Sequence, residues 1–194
     1  MVPTRDEAFE LLKEYTKSDS LIKHALSVEA VMRHFAGILG EKDEEKWGII
    51  GLVHDIDYEL YPEEHCKKVR GMLEAKGWPN EYIRAVESHG WKLVNDVEPV
   101  ERMEKVLYAT DELTGLIAAT ALLRPSKSVL DLNTKSVKKK WKQKGFAAGV
   151  NREVIEDGAG ILGVELDYLI EETINGMRKA ADSIGLKGEV HEDC

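Results

Sequence analysis

Histidine and aspartate stand side by side at His54-Asp55, at the end of an apolar run of Trp47, Ile49, Ile50, Leu52 and Val53. Adjacent residues on a helix point about 100° apart, so the pair cannot face one solvent patch. Both side chains can still touch one ion held at the helix end. Imidazole and carboxylate are ligands that divalent Mn, Fe, Co, Ni and Zn all accept. Alone the pair says little, and its weight depends on partners elsewhere. The chain offers His24 before it, and His65, His89 and Asp111 after it. Asp111 is the most telling of these. It sits mid-helix among apolar or small residues (Leu107, Tyr108, Ala109, Leu113, Gly115), where an unpaired charge costs several kcal/mol, on the order of a whole protein's margin. Each residue also has a plain reading. His24 suits a histidine at the edge of the core, bonded to a carbonyl. Asp111 suits a buried salt bridge or a solvent-facing position.

These residues need elements to position them, and the spacing supplies helices. Thr4 and Glu7 form a capping box ahead of Ala8, Leu11, Leu12 and Tyr15. Ser18-Asp19-Ser20 caps a long second helix. Its stripe of Leu21, Ala25, Val28, Met32, Phe35 and Leu39 steps by four and three, and Gly40 ends it. His24 lies beside that stripe; His34, on another face, reads as a surface or boundary histidine. Asp43 caps the helix that carries the doublet. Pro62-Glu63-Glu64 opens a helix with His65 in its first turn and Gly77 at its close. Pro79 opens the next, with Tyr82, Ala85, Val86 and His89 on one face. Pro99 starts a second long helix, with Val100, Met103, Leu107, Thr110, Thr114, Ile117 and Ala121 buried. Asn151 caps a helix containing Gly158, Gly160 and Gly163, for which close packing is a reason. The last helix begins near Glu165 and ends near Gly185. No stretch alternates with period two. The expected fold is all-α: one helical-bundle domain over residues 1–194, with a core at about 20–115 and a helical extension at about 125–185.

Composition narrows the functional classes. The chain has 194 residues, 32% charged and 43% hydrophobic, an ordinary soluble balance. A net charge of -9 argues against nucleic-acid binding by the surface as a whole. Residues 135–144 hold six lysines, which read either as a solvated face over Val137 and Trp141 or as a rim that attracts phosphate. Cys66 and Cys194 make no disulfide framework, and no apolar run suggests a leader or a membrane span. The expectation is a cytoplasmic protein with no membrane partner.

His24, His54-Asp55, His65, His89 and Asp111 fall on successive helices, which is how bundle interiors build metal sites. In this order the chain resembles the HD superfamily of metal-dependent phosphohydrolases. The resemblance rests on His24, the His54-Asp55 doublet about 30 residues later, and Asp111 within Ala109-Thr110-Asp111-Glu112. It implies that His24, His54, Asp55 and Asp111 hold one divalent metal. It further implies that His65 and His89 hold a second ion, with Asp55 shared. The common doublet continues Ile-Gly; here it continues Ile56-Asp57.

The implied activity is hydrolysis of a phosphomonoester or phosphodiester of a nucleotide-like small molecule by metal-activated hydroxide. Asp57 or Glu59 would accept a proton or orient a ligand. Arg124, Lys127, Lys144 and Arg152 would clamp phosphate, chosen by charge type. Two other readings stand beside it: a mixed-valent di-iron oxygenase of the same fold, and a non-catalytic, metal-stabilised binding module.

Overall fold

The computed structural model describes residues 2–143 and 145–189. Lys144, His191 and Cys194 lie outside the described residues. The helices are α1 (Arg5–Tyr15), α2 (Asp19–Ile38), α3 (Glu44–Val53), α4 (Val69–Ala75), α5 (Asn80–Ser88), α6 (Arg102–Leu122), α7 (Thr134–Trp141), α8 (Arg152–Leu162) and α9 (Leu166–Lys179), with a single 3-10 turn at Pro62–Glu64. The fold is all-α, and no strand occurs among the described residues. No helix among them is long and apolar enough to cross a membrane.

The helix starts follow from local chemistry. Thr4 Oγ1 accepts from the Glu7 amide while Glu7 returns the bond to Thr4 N, closing the capping box of α1. Asp43 accepts from Lys46 N at the start of α3, and Asn151 accepts from Glu153 N and Val154 N at the start of α8. α2 is the hub of the bundle: it packs against α3, α6 and α9. Ala25, Val28, Val31, Met32, Phe35 and Ala36 are all buried on it. α6 is the second axis, lying against α2, α8 and α9. Its contact with α8 is close enough that a Cβ on Gly158 would meet Ala109 Cα at 2.5 Å, so glycine is needed there. Close packing at Gly158 is therefore real, whereas Gly160 has nothing near it and Gly163 is the left-handed cap of α8, φ +69°.

Four sequence expectations are corrected. His34 is buried, not a surface residue: its Nε2 lies 2.6 Å from Glu172 Oε2 on α9. The helix expected from Pro62 to Gly77 is broken at His65-Cys66. His65 is extended (ψ 141°), Cys66 is left-handed (φ +60°), and α4 starts only at Val69. α6 starts three residues after Pro99, so Val100 is exposed. Glu101 and Glu104 form the cap there, and Val100 N donates to Glu104 Oε2. The last helix ends at Lys179, with turns carrying the chain to Gly185.

Candidate metal centre

His24 comes from α2, His54 caps the C-terminus of α3 with Asp55 next, His65 follows the 3-10 turn, His89 caps α5, and Asp111 lies mid-α6. The bundle brings all six together. Around Asp111 and one oxygen of Asp55 lies a first donor set. Asp111 Oδ1 is 2.9 Å from His24 Nε2 and 3.2 Å from His54 Nε2. Asp55 Oδ2 is 3.4 Å from His54 Nε2 and 3.8 Å from His24 Nε2. The other oxygen faces a second set: Asp55 Oδ1 is 3.3 Å from His65 Nε2 and 3.4 Å from His89 Nε2. One carboxylate thus divides its two oxygens between two pairs of imidazoles.

The far side of three of the four rings explains why Nε2 is the inward atom. His54 Nδ1 donates to Gly51 O at 2.8 Å, and His89 Nδ1 donates to Val86 O. His65 Nδ1 donates to Asp57 Oδ1 at 2.8 Å. Carbonyl and carboxylate oxygens only accept, so the proton sits on Nδ1 and the Nε2 lone pair is left for an ion. Asp57 has no exposed surface, and its other oxygen accepts from Val69 N at 3.1 Å, capping α4. It orients His65 and does not face the cleft.

Electrostatics around the cluster follow from burial among opposite charges. Burial alone would depress His54, but Asp55 and Asp111 overcome it and push the ring up to about 10. His65 behaves alike: burial lowers it, the bonds to Asp57 and Cys66 raise it, and it is pushed up to about 9. Burial would raise Asp55 and Asp111, yet the His54 charge holds both well below the usual carboxylate range. Without an ion, His54, His65 and His89 are held as imidazolium groups beside carboxylates, so protons stand where cations would bind. The donors are of the right chemistry for a divalent transition metal.

A cleft of about 270 Å³ opens onto the cluster, walled by Leu21, Tyr58, Leu93, Val94 and Gly149. Glu112 also lines it, accepting from Asn151 N at 3.1 Å. Burial and the neighbouring Asp111 push its carboxyl up to about 7. Glu112 and Cys66 are not among the site residues that the sequence pattern predicts. Cys66 Sγ lies 3.3 Å from His65 Nε2 and 3.4 Å from His89 Nε2. The adjacency of Glu112 to Asp111 and of Cys66 to His65 was the available signal.

Other expected residues are not gathered in. Glu59 accepts from Lys17 N and Ser18 N, where it closes the turn before α2. Arg124 makes a two-pronged ion pair with Asp131 at 2.8 and 3.0 Å. Arg152 is spent on the carbonyls of Trp141 and Phe146, and Lys127 is exposed in the turn after α6. None of these three cations lines the cleft. Lys138 pairs with Asp167 at 2.6 Å while Val137 is buried, so this part of the lysine-rich helix is a solvated face.

The family model of the HD domain matches residues 21–116, a span that contains all six of these side chains. Residues 21–116 of the chain are an HD domain. The members of that family are mostly metal-dependent phosphohydrolases. No curated protein and no solved structure matched the chain.

Proposed function

We propose that the protein is a two-metal HD phosphohydrolase acting on a phosphomonoester or phosphodiester of a nucleotide-like small molecule. The observation that supports this most is the division of Asp55: Oδ2 toward His24 and His54, Oδ1 toward His65 and His89. A divalent ion bound there supplies a Lewis acid, lowers the pKa of its water toward about 7 and offsets phosphate charge. His24, His54, Asp55 and Asp111 would hold the first ion; His65, His89 and Asp55 would hold the second.

The remaining work falls to the cleft. Leu21, Tyr58, Leu93 and Val94 form an apolar wall for the organic part of the ester. Glu112, with a carboxyl pushed up to about 7, is protonated in a good share of molecules at neutral pH and would hand its proton to the leaving oxygen. The C-terminal helices complete one domain in this reading, since α8 and α9 pack on α6 and α2 and Asn151 fixes Glu112. The test is Asp55→Ala, assayed for metal content and for turnover of a panel of phosphate esters. Loss of both ions and of turnover is expected. Wild-type turnover in that variant would end the proposal.

A further inference from the structure

On the reading that this centre holds two ions, we propose that its second position is a four-donor site in which the Cys66 thiolate completes the set of His65, His89 and Asp55. A tetrahedral ion with metal–nitrogen or metal–oxygen bonds of about 2.0–2.1 Å and a metal–sulfur bond of about 2.3 Å spaces its donors roughly 3.3–3.6 Å apart. Five of the six donor separations are fixed by the structure. His65 Nε2 to His89 Nε2 is 3.2 Å; Asp55 Oδ1 to the same two atoms is 3.3 and 3.4 Å; Cys66 Sγ to them is 3.3 and 3.4 Å. His65, His89 and Cys66 form one close group of donors, Asp55 Oδ1 closes on its two imidazoles, and the only sulfur is the thiol of a buried cysteine.

The backbone serves this placement. Cys66 takes the left-handed conformation, φ +60°, at the break between the 3-10 turn and α4, and so turns its side chain inward beside His65. Gly90, one residue past His89, keeps the space clear: a Cβ there would come within 2.8 Å of Cys66 Sγ. Arg70 on α4 grips Glu87 on α5 through Nε at 2.8 Å, which ties together the two segments that carry Cys66 and His89.

The two positions then differ in kind. The first offers two imidazoles and two carboxylates, a set that suits every divalent transition ion. The second adds a soft sulfur, which favours zinc or iron over manganese and magnesium.

The experiment uses cobalt(II) as the probe. Protein stripped of metal is reconstituted with two equivalents of cobalt(II), and its absorption spectrum is recorded alongside Cys66→Ser and Cys194→Ser. A sulfur-to-cobalt charge-transfer band in the near ultraviolet is expected in the wild type. It should persist in Cys194→Ser, where Cys66 is the chain's one thiol, and vanish in Cys66→Ser together with one cobalt equivalent. Two cobalt ions bound without the band would overturn the thiolate ligand and leave the two-ion reading standing. At most one ion and no band would overturn both. If Cys66→Ser does not fold, the wild-type and Cys194→Ser spectra decide the matter alone.

Discussion

Asp57→Asn tests whether the second position depends on a residue that never touches the ion. The buried Asp57 carboxylate accepts from two donors, His65 Nδ1 at 2.8 Å and Val69 N at 3.1 Å. Asparagine has the same shape but one acceptor oxygen, so one of its amide hydrogens must face a donor. A buried donor left unsatisfied costs about 1–3 kcal/mol, and urea unfolding of the metal-free variant should show a loss of that size. The second effect is local to His65, whose ring loses the anion that orients it and raises its basicity. Removing such a supporting carboxylate typically weakens metal affinity about 10–100-fold, which is about 1.4–2.7 kcal/mol.

Proton competition works in the opposite direction. His65 stands near 9 without metal, so at about pH 7 an ion must displace a proton at a cost of roughly 2.7 kcal/mol. Loss of Asp57 relieves part of that cost. The full weakening should therefore emerge only when chelator-competition titrations at about pH 7 are compared with ones at about pH 9.5, where the wild-type ring is largely neutral. A first ion, which His24, His54, Asp55 and Asp111 would hold, should be spared at both. Equal weakening of the two ions, or none at high pH, would refute the assignment of Asp57 as the residue that aims His65.

Two other consequences can be measured directly. With His54 near 10 and His65 near 9, both rings are protonated in the metal-free protein at pH 7; loading the ions should release at least about two protons, read by calorimetry in buffers of different ionisation enthalpy, and apparent affinity should rise with pH up to that range. Gly158→Ala should cost about 1–3 kcal/mol and lower the Tm, because the added Cβ would lie 2.5 Å from Ala109 Cα on a packed backbone; an unchanged Tm would mean that α6 and α8 are not so closely packed.

What the sequence disclosed was the part governed by neighbours in the chain. The Thr4–Glu7 box, the Asp43 and Asn151 caps and the α2 stripe from Ala25 to Phe35 are local, and each reappears in the structure, whereas Leu39, expected to end that stripe, lies past the helix and is exposed. The six-residue constellation was legible because its members carry unusual types at helix ends or beside buried stripes. The misses share a different cause. His34 is buried by α9, more than a hundred residues away in sequence, and no spacing within α2 announces Glu172. Pro62-Glu63-Glu64 is a sound helix start, but the pull of His65 toward Asp55 and Asp57 breaks the helix after one turn. Arg124 and Arg152 have the charge for phosphate, but Asp131 and the carbonyls around Phe146 engage them first.

The cleft is assembled from two stretches of chain with separate duties. Every imidazole and carboxylate of the candidate metal centre lies within residues 21–116, the span of the HD domain. Gly149 on the cleft wall, and the Asn151 amide that holds Glu112, come from beyond it. The donor atoms and part of the cleft mouth thus come from separate stretches of chain: a change of length or type in residues 145–151 would alter the mouth while leaving the donor atoms in place.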